Sequence, residues 1–374
     1  MTKQLSPEMI SALDIEEKLN LVLKNAEEVV TPSELRALLE EKTRPKAYWG
    51  FECSGFMHIG MGLVVGAKIK DMVKAGFNFI VFLADWHSWI NNKLGGSMEN
   101  IRTCGEYFKD CFTALGVPHD KVEYIWASEL AGDRDYWEKV IRVGKLSSIH
   151  RIWRAIPIMG RSMEASDVEA AALIYPCMQA ADIFHMDLDV ACAGMDQRKA
   201  HMLARDVAEK IGRKKPICVH TPLLAGLQEP TTTGTERFDE DSEMDLKIRS
   251  KMSKSIAGSV ILIHDGPNEI DSKIRAAYCP PGITKGNPVF EITKYIVFPQ
   301  EGAIHIPRTD KYGGPIDFES IAQLEQEYTS MRLHPLDLKR GVTESLTRIL
   351  EPVRRFFQNN PRNLGAMKKV EITR

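Results

Sequence analysis

Residues 77–83 (Phe-Asn-Phe-Ile-Val-Phe-Leu) constrain the fold more than any other stretch, because a single polar residue interrupts an apolar run too short for an ordinary helix. Such a run suits a strand buried on both faces, as in a sheet with helices on either side. Upstream, residues 59–74 place apolar side chains at helical spacing and end at Gly76, while residues 46–51 read as a short strand. Strand, helix and strand in that order form a βαβ crossover, which demands parallel pairing. Further strands are predicted at 122–126, 187–192 and 216–220, with helices over 98–115 and 196–211 between them. The economical account is a doubly wound parallel-sheet α/β domain over about residues 46–226.

The flanks have a different texture. Residues 1–43 look like two helices, the first opened by Pro7 and the second by Thr31-Pro32, a capping residue followed by proline. Residues 228–245 hold seven acids, one arginine and almost no apolar side chain, which predicts a solvated loop or flexible insertion. No sheet is expected after Pro299; residues 320–331 and 338–357 read as amphipathic helices of a smaller C-terminal helical domain.

Composition narrows the class further. With 49 Lys and Arg against 51 Asp and Glu in 374 residues, the net charge is −2, which excludes a uniformly basic nucleic-acid coat but not local basic patches. No apolar run approaches the length of a membrane span, and the N-terminus lacks a basic end followed by an apolar block, so a cytoplasmic protein without membrane attachment is expected. The seven cysteines are odd in number and form no CxxC pair, signalling neither a disulfide framework nor a zinc site.

Three short patterns carry chemistry. The loop after the first strand runs Cys53-Ser54-Gly55-Phe56-Met57-His58-Ile59-Gly60-Met61-Gly62, and the next helix begins inside it. Amides at a helix N-terminus beyond the carboxyl edge of a sheet make a natural phosphate site. Gly60 would let a nucleotide approach the backbone, and His58 could donate to a phosphate oxygen; a glycine-eased turn with a solvent-facing histidine is the plain alternative. Neither a Walker A sequence nor GxGxxG stands at this turn. Downstream, Lys251-Met252-Ser253-Lys254-Ser255 precedes Gly258, a composition suited to a mobile loop whose ammonium groups close over phosphates, though a solvated basic loop reads the same way. Tyr175, Gln179 and Asp182, spaced i, i+4, i+7, share one helix face in an otherwise apolar segment. Such a stripe needs partners, either from a bound polar ligand or from an internal network.

Together, HIGM at 58–61 and KMSKS at 251–255 resemble the HIGH and KMSKS signatures of class I aminoacyl-tRNA synthetases, with Met61 in place of the second histidine. The stretches YWGFECSGFMHIGMG, FLADWHSWINNK, LIYPCMQAADI, GMDQRKAHMLARDV, AAYCPPG and LHPLDLKRGV resemble tyrosyl-tRNA synthetases of the archaeal and eukaryotic type, from about Tyr48 to Pro352. The resemblance implies a Rossmann-like catalytic domain. It also implies activation of L-tyrosine by ATP to tyrosyl-adenylate and pyrophosphate, then transfer of tyrosine to the 3′ end of tRNA(Tyr), with Mg²⁺, no zinc, and a homodimer. Carried over by motif, His58, Lys251 and Lys254 are the catalytic groups, and His58, Gly60, Asp196, Lys251, Ser253 and Lys254 hold ATP, with Asp196 accepting from the ribose or capping a helix. Tyr48 and Asp182 would bond the phenolic hydroxyl; Tyr175, Gln179 and Gln197 would hold the α-amino group; His87 borders the pocket or is structural. A pocket that hydrogen-bonds a hydroxyl rejects phenylalanine, a rule for which this family is itself the standing illustration. Three rivals are a tryptophanyl-tRNA synthetase, which should not need the Tyr48 and Asp182 pair, a nucleotidyltransferase of the same superfamily, and a non-catalytic tRNA-binding paralogue. The last should have lost His58, Lys251 or the polar stripe.

Charge is unevenly placed. Lys139, Arg142, Lys145, Arg151, Arg154 and Arg161 lie in a stretch with no acid and with Trp153 among them, and residues 333–374 hold nine basic and four acidic residues. Such runs suit RNA phosphates, or simply a solvated helix face. The resemblance implies that Arg161, Arg198 and Lys199 meet the acceptor end of tRNA and that Tyr312, His334 and Asp337 read the anticodon; a helix start at Pro335 capped by its neighbours is the alternative for the last two. The expected division is a helical extension (1–45), a catalytic domain with an inserted acceptor-stem-binding region (46–226), an acidic insertion (227–249), the KMSKS loop and linker (250–289) and a helical anticodon-binding domain (290–374).

Overall fold

The computed structural model describes residues 13–162, 168–230, 237–252 and 258–372. The predicted opening at Pro7 therefore lies outside the described residues. The first described helix, α1 (Ile15–Leu23), starts at Asp14, which forms a capping box with Glu17. A strand, β1 (Glu28–Val30), leads through Thr31 into α2 (Pro32–Glu41), where Thr31 and Glu34 make the second capping box and Pro32 occupies the first turn. The strand corrects the expectation of helices alone: three residues are too few for alternation to be read from sequence.

Five further strands complete the sheet: β2 (Lys46–Phe51), β3 (Asn78–Leu83), β4 (Val122–Trp126), β5 (Val190–Gly194) and β6 (Ile217–Thr221). Their order is β1-β6-β5-β2-β3-β4, parallel throughout except for β1, which runs antiparallel on β6. β5 starts later than predicted. Asp187 takes a left-handed φ of 52°, and the Asp189 side chain accepts from the Lys46 amide at 2.8 Å, so the acidic residues before the strand form its entry turn. From β2 the chain moves outward to β3 and β4, then returns to build β5 and β6 on the other side. Ligands of doubly wound sheets sit beyond the carboxyl ends at that reversal, here between β2 and β5.

The helices around the sheet include α3 (Val65–Lys74), α4 (Asp85–Ile90), α5 (Met98–Ala114), α6 (Arg134–Lys145), α7 (Ile149–Trp153), α8 (Ala171–His185) and α9 (Arg198–Ala208). α3 is preceded by a π-helical turn over Gly60–Val64, so the helix expected from Ile59 begins with a wider turn. Tyr48, Ile80, Phe82, Ala180 and Leu203 share a core between the sheet and α6, α8 and α9. A larger core on the opposite face runs from Leu19 and Leu35 through Phe79 and Phe108 to Leu346 and Met367.

Two expectations for the later chain need correction. Residues 237–250 are folded rather than solvated loop: Asp241 caps α10 (Ser242–Ser250), and buried Asp245 accepts from the Phe238 and Asp239 amides at 2.6 and 3.2 Å. Beyond α11 (Pro267–Ala276) and α12 (Pro288–Ile292), sheet does return after Pro299, as an antiparallel hairpin of β7 (Ile304–Ile306) and β8 (Ile316–Phe318). The predicted helix over 338–357 is two, α14 (Pro335–Ile349) and α15 (Glu351–Asn359), following α13 (Ile321–Thr329) and preceding α16 (Arg362–Met367). Pro352, without an amide hydrogen, sits in the first turn of α15 where none is needed. Among the described residues no helix is long and apolar enough to cross a membrane. All seven cysteines stand outside disulfides, and six are buried.

Candidate functional site

The loop carrying His58 is fastened to the segment just after the second signature. Ile59 donates its amide to Ile261 O (2.9 Å) and Ile263 to Met57 O (3.1 Å). A Cβ on Gly60 would stand 3.1 Å from His58 Nδ1, and one on Gly62 only 2.5 Å from the Ile263 side chain. Gly60 thus makes room for the histidine ring itself, before any ligand is considered. His58 Nδ1 accepts from the Met61 amide at 3.4 Å, which leaves Nε2 to carry the proton in the neutral ring.

Lys251 pairs with a segment that itself borders the His58 turn, Leu224 lying 3.4 Å from where a Gly60 Cβ would stand. It bridges Ala225, with Met252 N donating to Leu224 O at 2.7 Å, and its Nζ reaches Asp196 Oδ2 at 2.6 Å. Burial works to raise the Asp196 carboxyl, but the Lys251 ammonium prevails and holds it below the usual carboxylate range. The structure therefore joins the two residues expected on phosphate and on ribose. Ser253 and Lys254 lie outside the described residues.

The partners of the α8 polar stripe come from far along the chain. Asp182, 2% exposed, accepts from the Tyr136 hydroxyl at 2.8 Å, and His87 Nε2 stands 3.2 Å from its other oxygen without a well-aligned bond. Burial alone would lower the His87 pKa, yet the Asp182 carboxylate, with Glu52 and Asp85, turns the shift upward. Tyr48 is buried in the same core; burial and the Asp182 charge raise its phenol well above the ordinary value, keeping it a donor. Tyr175 donates to Glu52 Oε1 at 2.9 Å, and Asn91 reaches the same oxygen at 2.8 Å. Gln179 donates to Gln197 Oε1 at 3.2 Å, and Gln197 donates to Ile158 O at 2.9 Å. Part of the stripe is thus an internal network, but Gln179 Oε1 and His87 Nδ1 remain buried with no hydrogen-bond partner. Buried polar atoms rarely stay unpaired, which makes these two candidate ligand contacts, although Ser147, His201, Arg249 and Arg354 also bury an unpaired atom elsewhere.

Glu52, Tyr136 and Asn91 are absent from the predicted set. Glu52 directly follows the first strand, a position that could have been flagged; Tyr136, on a helix 46 residues before Asp182, carries no local signal.

The cations expected on RNA are mostly paired. Arg198 grips Glu28 with both arms (2.8 and 2.9 Å), Arg161 pairs with Glu169, and Lys199 Nζ lies 3.2 Å from Asp239 and 3.4 Å from Glu240. Of the acid-free run, Arg142, Arg151 and Arg154 meet Glu138, Asp206 and Glu240. In the C-terminal part Tyr312 is exposed, while His334 caps α14 by accepting from the Leu336 amide at 3.2 Å and Asp337 is buried 4.0 Å from Arg340. The capping alternative for these two positions is therefore present in the structure. Among the described residues no hydrogen bond or ring contact joins Tyr312 to either.

Residues 40–351 match the family of class I tRNA synthetases for tryptophan and tyrosine. The chain is 47% identical over 360 residues to a tyrosine–tRNA ligase of Aeropyrum pernix, covering 96% of this chain and 98% of that one. It is 46% identical over 351 residues to a tyrosine–tRNA ligase of Sulfurisphaera tokodaii, covering 94% and 95%. Its fold is similar to the tyrosyl-tRNA synthetase of Pyrococcus horikoshii complexed with L-tyrosine, with a TM-score of 0.88, 44% identity, and 96% of this chain and 100% of that chain covered.

Proposed function

The chain belongs to the class I aminoacyl-tRNA synthetases of the tryptophan and tyrosine family, and from that premise we propose how its own residues do the work of a tyrosine–tRNA ligase. It activates L-tyrosine with ATP, releasing pyrophosphate, and transfers the tyrosyl group to tRNA. The tyrosine carboxylate is already ionised, so its attack on the α-phosphate needs no protein base, only alignment and stabilisation of phosphate charge. In this reading His58 Nε2 donates a hydrogen bond to the phosphates, Lys251 and Lys254 supply positive charge, Ser253 and the Gly60 backbone also bind ATP, and Asp196 takes the ribose. Magnesium would arrive on the nucleotide's phosphates. The described residues offer no group of three or more carboxylate, imidazole or thiol ligands to cage it, and no step here runs through the ion.

Tyr48 and Asp182 read the phenolic hydroxyl. The Tyr136 hydroxyl holds the Asp182 carboxylate behind it, with the His87 ring 3.2 Å from the other oxygen. Tyr175, Gln179 and Gln197 take the α-ammonium, with Glu52 supplying negative charge next to Tyr175. The observation that supports this most is Gln179 Oε1, a buried acceptor without a donor on the same helix face as Asp182. Pyrophosphate exchange measured with each of the twenty amino acids tests the reading: exchange with tyrosine is expected, and exchange with tryptophan alone would sink it.

For tRNA(Tyr), Arg161, Arg198 and Lys199 lie toward the acceptor end, and Tyr312, His334 and Asp337 toward the anticodon, within the five-part division set out above. A homodimer fits the exposed Ile141, Leu146, Ile149 and Ile174, which stand on or beside α8 and the α6 and α7 helices packed on it. A cytoplasmic location fits thiols that are mostly buried and outside disulfides.

A further inference from the structure

The acidic segment ahead of the second signature does not drift in solvent. Arg237 ties it from one side, donating to Asp239 O (2.9 Å) and Glu240 O (2.7 Å), and buried Asp245 holds the Phe238 and Asp239 amides from the other. The turn so built presents three acceptors to Lys199 Nζ: Phe238 O at 3.2 Å, Asp239 Oδ2 at 3.2 Å and Glu240 Oε2 at 3.4 Å. The second Glu240 oxygen takes Arg154 Nε at 2.5 Å. Glu240 therefore bridges two cations that come from separate elements, Arg154 at the end of α7 and Lys199 in the first turn of α9. Hydrogen bonding from Arg154 and the charge of Lys199 hold the Glu240 carboxyl near 2, so it stays ionised at any working pH.

Asp239 on Lys199, and Glu240 shared between Lys199 and Arg154, occupy the position that a phosphodiester would take on the same pair. We propose that Asp239 and Glu240 are specificity-determining residues for the RNA substrate, holding Lys199 and Arg154 against any polyanion that cannot displace them. The proposal rests on the reading that Lys199 meets the acceptor end of tRNA. An RNA that binds only through its backbone gains little from cations already neutralised, because few counterions are released on binding. A cognate tRNA, also held at the anticodon positions and at the 3′ end, can exchange the carboxylates for phosphates.

The test compares the intact enzyme with the Asp239→Asn/Glu240→Gln double variant, and with Glu240→Lys, which alters only the exposed acid and leaves Asp239 in place. Dissociation constants for tRNA(Tyr) and for a non-cognate tRNA are measured across a salt series, and tyrosine-dependent pyrophosphate exchange reports the untouched activation step. Non-cognate binding should tighten roughly five- to tenfold at low salt in the double variant, cognate binding by about threefold or less, and the log–log salt slope should steepen by about one to two. Glu240→Lys should move all three in the same direction. Unchanged slopes and non-cognate affinity, while Lys199→Ala still weakens tRNA(Tyr) binding, would overturn the specificity role alone. No effect of Lys199→Ala on any tRNA would overturn it together with the acceptor-end reading beneath it.

Discussion

The proposed tyrosine pocket and the cations proposed to meet RNA solve recognition in opposite ways. In the pocket, Asp182, Tyr48 and Tyr175 are buried and fixed, while Gln179 Oε1 and His87 Nδ1 are left without partners until a ligand brings them. On the RNA side, Arg154, Arg198 and Lys199 already hold carboxylates of the chain itself. A small ligand is selected because its absence leaves buried atoms unpaired, and each such atom costs about 1–3 kcal/mol. A large polyanion is selected because exposed charges are satisfied beforehand, so only an RNA with contacts elsewhere can displace their partners.

The contrast breaks most visibly at Asp182. Asp182→Ala should lower kcat/KM for tyrosine in pyrophosphate exchange by about a hundredfold or more, as expected for a lost buried, charged hydrogen bond. Wild-type kinetics in that variant would remove Asp182 from the pocket. Tyr136→Phe is the finer probe, since it takes away one donor to the carboxylate and leaves the shape. A loss of about tenfold, with a narrower preference for tyrosine over phenylalanine, is expected; an unchanged preference would make Tyr136 a packing residue only. The smallest effect concerns the paired surface. His220 and Arg198 hold the Glu28 carboxyl down to about 2, below its ordinary 4.5. A lowered carboxyl stabilises the fold above its unfolded value and ceases to do so as pH falls through the folded one. Glu28→Gln should therefore cost about 1 kcal/mol at pH 7, after discounting for solvent, with the gap from the parent closing between roughly pH 4 and 2 in denaturant titrations. A gap that stayed constant with pH would detach Glu28 from this ion pair.

What the sequence reveals depends on how local the cause is. The strands at 46–51 and 122–126 have the predicted bounds and that at 78–83 differs by one residue, because each is read from its own side chains. The α8 stripe is legible for the same reason, three polar residues on one helix face. β1, β7 and β8 escape because three residues define no period, and β1 exists only through pairing with a strand nearly two hundred residues away. Tyr136 and Glu52 escape because their roles are defined by partners on other elements. The stretch from Lys139 to Arg161 looks like open basic surface in isolation, and only the fold shows Asp206 and Glu240 arriving to meet it.

β1 has one more consequence, for life in a crowded solution. β6 is buried along its whole length and would present a bare row of amides and carbonyls at the sheet's margin if nothing lay against it. Unpaired margins of that kind invite a second chain to add a strand. β1 covers it from Glu28 against His220 to Val30 against Cys218, and the new margin is three residues long, with Glu28 anchored by Arg198 and His220. The N-terminal segment thereby acts as a selvedge: it finishes the sheet with an edge too short and too charged for another molecule to be sewn on.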